Sequence, residues 1–264
     1  MPVKKIISLI DFTGVSQLAL EHTAIIARQS ICFVTLLHIA DEGKRKEEKE
    51  LKAQIREFAS HLEDEGVSFS IQIDYGNFFE VIADSIKALD CDLIVIGTHG
   101  IKGIKQNFVS SNIVKLIRLI STPALIIQGH SQTPQEGYSN ILVPMLEMAD
   151  PKILEKPVEQ FASLFKSNLH LLGFYVKEME QEFTVKTNEQ ADRFRTLGFQ
   201  TQVQMEETSV YTSSYSRSII QYADIEDIEV LVLVFHESVG IKNFDNVDME
   251  NILLNRLGKP VLCI

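Results

Sequence analysis

The chain repeats itself at one fixed distance. Gly240-Ile241-Lys242 repeats Gly103-Ile104-Lys105 at a numbering offset of 137, and Lys259-Pro260-Val261-Leu262-Cys263-Ile264 follows Thr122-Pro123-Ala124-Leu125-Ile126-Ile127 at the same offset. Two aliphatic runs, each opened by an acid, correspond in the same way: Asp92-Leu93-Ile94-Val95-Ile96 and Glu229-Val230-Leu231-Val232-Leu233. Near the start, Ile6-Ile7 pairs with Ile141-Leu142 at an offset of 135. Aliphatic strands resemble one another by composition alone, but a shared Gly-Ile-Lys does not follow from composition. Such spacing within 264 residues means two copies of one unit. Residues 128–139, QGHSQTPQEGYS, are polar with two glycines and a proline, which is linker composition. The expected organisation is a first unit over 1–128, a linker over 129–139 and a second unit over 140–264.

Within each copy, strand-like runs alternate with helical periodicity. In the first, Lys5–Ile10 reads as a buried strand, and Val15, Leu18, His22 and Ile25 mark a helix to about Gln29. Cys32–Ile39 is a second strand. Residues 44–65 are charge-rich, but Leu51, Ile55, Phe58 and Leu62 make them one amphipathic helix with a solvated face. Ser68–Tyr75 alternates as a third strand; Phe78, Ile82 and Ile86 mark the next helix, and Leu93–Ile96 the fourth strand. A glycine-containing loop, a helix through Ile113, Ile117 and Ile120, and a last strand at Pro123–Ile127 complete the unit. The second copy has strands at Ile141–Met145, Leu169–Val176, Gln200–Gln204, Val230–Val234 and Pro260–Ile264. Its helices fall on Leu154, Val158, Phe161 and Phe165, then near 186–197, 213–224 and 248–257, the last stopped by Gly258 and Pro260. The expected fold class is α/β: two tandem Rossmann-like domains, each a five-stranded parallel sheet covered on both faces. Ligands of such sheets bind at the carboxyl ends of the strands, here just after Ile10, Ile39 and Ile96.

Composition narrows the chemistry. Hydrophobic residues make up 45 % of the chain, enough for packed cores. No apolar run reaches the roughly 18 residues that span a bilayer. Met1-Pro2-Val3-Lys4-Lys5 and the short apolar run after it lack the pattern of a secretion signal, so a cytoplasmic location and no membrane partner are expected. A net charge of −11 argues against nucleic-acid binding. Cys32, Cys91 and Cys263 form no CxxC or Cys/His cluster and read as buried small hydrophobes, with no metal site expected.

One loop stands out. After the fourth strand come Gly97-Thr98-His99-Gly100-Ile101-Lys102-Gly103, then Ser110-Ser111-Asn112 ahead of the last helix. Glycines at a strand end permit positive φ and close approach of a ligand to the backbone. Ser111 or Asn112 is a natural N-cap, and a helix start attracts phosphate through its N–H groups and dipole. The loop contains neither GxxxxGK[ST] nor GxGxxG. Asp11, just past the first strand, completes the constellation. His38 and His99 read as local structural residues.

These residues resemble the universal stress protein family, whose pattern here is Gly-x2-Gly-x9-Gly-Ser/Thr with an Asp ending the first strand and a Leu-His-Val-like end to the second. Gly97, Gly100 and Ser111 match, as do Asp11 and Leu37-His38-Ile39. The resemblance covers Lys4 to Gln128 and, more faintly, the second unit; tandem members are familiar in the family. It implies ATP or a related adenine nucleotide in unit one, with Asp11 and Ile39 beside ribose and adenine. Gly97 and Gly100 would admit the triphosphate, Ser110, Ser111 and Asn112 would hold the phosphates, and Mg²⁺ would be held by the phosphates themselves. One position departs: Ser110 stands where the third glycine belongs, and members lacking the full motif often do not bind ATP. A serine forced into the left-handed region would cost about 1–2 kcal/mol.

In unit two, Val234, Glu237, Val247 and Asp248 stand at the 137 offset from Gly97, Gly100, Ser110 and Ser111, and Leu146 stands at the 135 offset from Asp11. A carboxylate at a phosphate position repels the ligand, so no nucleotide is expected there. Two functions follow. One is a nucleotide-binding stress protein acting through conformation or association, at most a slow ATPase, with no catalytic residue assigned. The alternative is an interaction or scaffold protein with both pockets degenerate. The family's habit of pairing last strands implies an internal pseudo-dimer through Pro123–Ile127 and Pro260–Ile264, and leaves a homodimer open.

Overall fold

A computed structural model describes residues 3–98, 109–145, 152–208, 215–235 and 246–264. The chain divides into two compact units, Met1–Gly137 and Tyr138–Ile264.

In unit one the elements run β1 (Lys5–Ile10), α1 (Gly14–Gln29), β2 (Phe33–Ala40), a 3-10 segment (Glu42–Glu47), α2 (Glu48–Phe58), α3 (Ser60–Asp64), β3 (Phe69–Tyr75), α4 (Phe78–Leu89), β4 (Leu93–Gly97), α5 (Val109–Leu119) and β5 (Ala124–Ile127). The strands are parallel in the order β3-β2-β1-β4-β5. The order reverses between β1 and β4, so the crevice for a ligand opens at their carboxyl ends. Polar pairs reveal the two faces. Thr23 of α1 donates to Ser8 Oγ of β1 at 3.2 Å, whereas Ser85 of α4 donates to Asp74 of β3 at 3.1 Å.

The single helix expected over 44–65 is three pieces. Ala59, at φ −101° and ψ 14°, separates α2 from α3. The break leaves Leu51, Ile55, Ala59 and Leu62 all buried, while Phe58 turns toward Phe12. Helix α1 starts where Thr13 Oγ1 accepts from Ser16 N at 3.2 Å, and α4 where Asn77 Oδ1 accepts from Phe79 N at 3.0 Å.

Unit two has β6 (Asn140–Met145), α6 (Lys152–Phe165), β7 (Asn168–Tyr175), a 3-10 turn (Lys177–Met179), α7 (Glu180–Thr196), β8 (Thr201–Glu207), α8 (Tyr215–Ile225), β9 (Val230–Leu233), α9 (Asn246–Leu253) and β10 (Val261–Cys263). Its parallel order, β10-β9-β6-β7-β8, repeats that of unit one. Helix α7 begins at Glu180, earlier than expected, because buried Phe183 belongs to its core-facing stripe. Helix α9 ends at Leu253, before Gly258. Asn255 takes over the C-terminal capping, donating to Ile252 O and Lys259 O at 2.9 Å each and accepting from Lys259 N at 3.0 Å.

The acid that opens β4 and β9 in the repeat has a physical task. Asp92 Oδ2 accepts from the backbone of Lys4 and Lys5, both at 2.9 Å. Glu229 Oε2 accepts from Ser139 N and, at 3.2 Å, from Asn140 N. Each acid satisfies the first N–H groups of the neighbouring strand. The polar stretch expected as a linker belongs to the units themselves: in unit one Gln128 and Ser131 are buried and Thr133 donates to Glu21 at 2.7 Å, and in unit two Tyr138 is 1 % exposed. The cysteines are free; Cys263 is buried and the other two half-buried. Burial pushes the Cys91 thiol up to about 11. Among the described residues no group of His, Cys, Asp and Glu gathers to hold a metal, and no helix is long and apolar enough to cross a membrane.

Candidate functional site

Asp11 leaves β1 at the carboxyl edge and is 7 % exposed. Its Oδ1 accepts from Thr13 N at 3.0 Å and Thr13 Oγ1 at 2.7 Å, an Asx turn that feeds directly into the cap of α1. Its N–H meets Ser16 Oγ at 3.3 Å. Oδ2 is buried and has no hydrogen-bond partner among the described residues. A buried carboxylate oxygen left unpaired is costly, so this atom calls for a donor that the described residues do not supply.

Phe12 follows at φ 64°, an uncommon value for a bulky side chain. Its ring lies 5.1 Å from His38 and 5.5 Å from Phe58. His38 Nδ1–H donates to Ile10 O at 2.7 Å, which ties the ends of β1 and β2 together. His38 is therefore a structural residue turned toward α2. Ile39, its neighbour, is half-buried on the opposite face, beside Asp74 of β3.

Gly97 ends β4 with φ outside the left-handed region. A Cβ there would sit 2.9 Å from Val15 O and 3.0 Å from Val15 C. The glycine thus lets α1 press its first turn onto β4, and close packing within the fold accounts for it without a ligand. Gly97→Ala should destabilise unit one by about 1–3 kcal/mol, because the obstructing atoms are backbone. Gly14→Ala, where no atom lies within 4 Å of the added Cβ, should cost nothing comparable in the same thermal unfolding measurement.

Gly100 and His99 lie outside the described residues. Ser110, Ser111 and Asn112 lie within α5 (Val109–Leu119), not at its cap. This corrects the expected capping role. It also removes the strain argument against Ser110, whose backbone is right-handed helical.

Unit two is built differently at the matching positions. Val234 is 9 % exposed and buried Asp248 accepts from Ser216 N at 3.2 Å and Ser216 Oγ at 2.6 Å. The carboxylate at the Ser111 position therefore serves the first turn of α8. Gly173, which stands in the second copy where His38 stands in the first, has Met205 and Thr187 where a side chain would be. Leu146 and Glu237 lie outside the described residues.

Sequence reasoning passed over Thr13, Ser16 and Asp74. The Asp-x-Thr spacing signals the turn at Asp11, whereas Asp74 is brought beside Ile39 by the register of β2 with β3.

Residues 2–128 match the sequence model of the universal stress protein family, and the first unit is a universal stress protein domain. The whole chain has the fold of a universal stress protein from Archaeoglobus fulgidus, with a TM-score of 0.75 at 13 % identity over 99 % of this chain and 96 % of that one. A protein of unknown function from Pseudomonas aeruginosa aligns with a TM-score of 0.67 at 18 % identity, over 99 % and 92 %. The cytoplasmic domain of a prokaryotic cation chloride cotransporter aligns with a TM-score of 0.58 at 14 % identity, over 100 % and 95 %. No curated protein matches the chain. One tandem architecture thus occurs in proteins of different description, and the ligand must be argued from the site.

Proposed function

We propose that unit one binds an adenine nucleotide, ATP being the first choice, and that the chain acts in a cytoplasmic stress response through conformation or association. The observation that carries this is Asp11 Oδ2, buried at the carboxyl edge and without a partner among the described residues, where a ribose hydroxyl would donate to it. Ile39 would flank the base, and Gly97 and Gly100 would line the approach of the triphosphate. Ser110, Ser111 and Asn112 of α5 would receive the phosphates. Mg²⁺ would be carried by the phosphates. Turnover is expected to be negligible, and unit two is assigned no nucleotide, since Asp248 already occupies a helix start there.

Calorimetry with Mg·ATP tests the reading. The wild type should give saturable heat, and Asp11→Asn should weaken binding about tenfold or more. Asparagine can keep its carbonyl on Thr13, which turns an N–H₂ group to the Oδ2 position and removes the acceptor. No heat from the wild type, or equal affinity in the folded variant, would sink the proposal. The alternative, a scaffold without ligand, draws support from Gly97, whose lack of a side chain is accounted for by Val15. Association belongs to the same proposal, and a homodimer would appear in sedimentation.

A further inference from the structure

The strand register creates a row along the carboxyl edge of unit one. Ile10 pairs with His38 and His38 with Ile73, so Asp11, Ile39 and Asp74 come next on β1, β2 and β3; Ile39 and Asp74 are direct partners. Neighbouring strands lie about 4.8 Å apart, which puts Asp74 about 10 Å from Asp11. That span matches the long axis of an adenosine, from ribose hydroxyls to exocyclic amine.

Asp74 is held in a set orientation. Its Oδ2 accepts from Gln72 Nε2 at 2.6 Å and from Ser85 Oγ at 3.1 Å, and Gln72 Nε2 also reaches Ser85 Oγ at 3.2 Å. Both donors address one oxygen, and no described residue bonds to Oδ1. His38 points to the α2 face, so alternation puts Ile39 on the α4 face, with Asp74.

Resting on the nucleotide reading of this site, we propose that Asp74 is its base-selecting residue: Oδ1 accepts one hydrogen bond from the 6-amino group of adenine. Guanine and hypoxanthine carry a carbonyl oxygen at that position, an acceptor set against an anion. The two donors that fix Asp74 also dictate what asparagine does in its place. Gln72 and Ser85 both donate to this position, so the carbonyl of Asp74→Asn that keeps those hydrogen bonds leaves its N–H₂ group facing the ligand. The preference then reverses.

Calorimetry with ATP, ITP and GTP, each with Mg²⁺, tests this. The wild type should bind ATP about tenfold or more tightly than ITP or GTP, and Asp74→Asn, with an unchanged circular dichroism spectrum, should favour ITP over ATP. Equal affinities in the wild type, or GTP tighter than ATP, overturn the proposal while leaving nucleotide binding standing. So does a folded Asp74→Asn that keeps the wild-type ratio. Failure of all three nucleotides to bind overturns the nucleotide reading and this proposal with it. The wild-type comparison needs no substitution, so it can overturn the proposal even where the variant does not fold.

Discussion

Tyr138→Ala should lower the stability of unit two by about 3–5 kcal/mol, the range for removing a large buried aromatic. The side chain is 1 % exposed, with its ring 5.0 Å from Phe165 and 5.5 Å from Phe161. Its carbonyl accepts from Ser167 Oγ at 2.6 Å, so ring and backbone are both engaged. Burial pushes the phenol well above the usual tyrosine range, as a hydroxyl that stays protonated in a core should behave. Urea unfolding is the measurement. Glu136→Ala, at an exposed position just before Gly137, supplies the contrast and should stay within about 0.5 kcal/mol. A Tyr138 effect equally small would mean that the ring does not belong to the core.

That residue shows where composition misleads. It sits in a polar run, and a window average hides a single aromatic anchor. The chain enters unit two through Gly137, at φ 105°, and buries the next side chain. The strands were legible because buried parallel strands are continuous aliphatic runs, and these give no competing period. Helix breaks were less legible. Leu51, Ile55, Phe58 and Leu62 fit one helix by spacing, but the interruption at Ala59 moves Phe58 out of the buried stripe and against Phe12. The stop of α9 was sought at Gly258, whereas the side chain of Asn255 satisfies the carbonyls sooner.

The site divides in the same way. Asp11 and Ile39 were reachable from the ends of strands, since a sheet presents its ligands there. The role of Gly97 was not: a glycine's need for space is set by the helix across from it, and Val15 belongs to a helix far back along the chain. Ser110 poses no conformational problem, since it lies within α5. Asp74 went unnoticed because its meaning lies in register, in the pairing of Ile39 with β3, which no local pattern encodes. The repeat, by contrast, carried its own check. The acid shared by Asp92 and Glu229 does the same work in both units.

The second large effect is on pH dependence, and it comes from α1. His22 is fully buried, and burial lowers its pKa from 6.5 to about 4. In the unfolded chain the imidazole takes up a proton as pH falls through 6.5; in the folded chain it resists until about 4. Between those values the unfolded state binds more protons, so stability falls as pH falls. The full contribution is present above pH 6.5, declines by up to about 1.4 kcal/mol per unit, and amounts to about 3 kcal/mol by pH 4. Carboxylates begin to protonate at the lower end of this window, so the test is a difference. Urea unfolding at a series of pH values from about 7.5 to about 4.5 should show a steeper slope in the wild type than in His22→Gln. The variant starts from lower stability at neutral pH but has no proton to gain at position 22, so the two curves should converge as the pH falls. Parallel curves would mean that His22 titrates at its ordinary value in the folded protein. The burial that makes α1 fit the sheet is thus the same burial that makes unit one acid-sensitive, and the helix concerned is the one that Asp11 and Thr13 hold at its start.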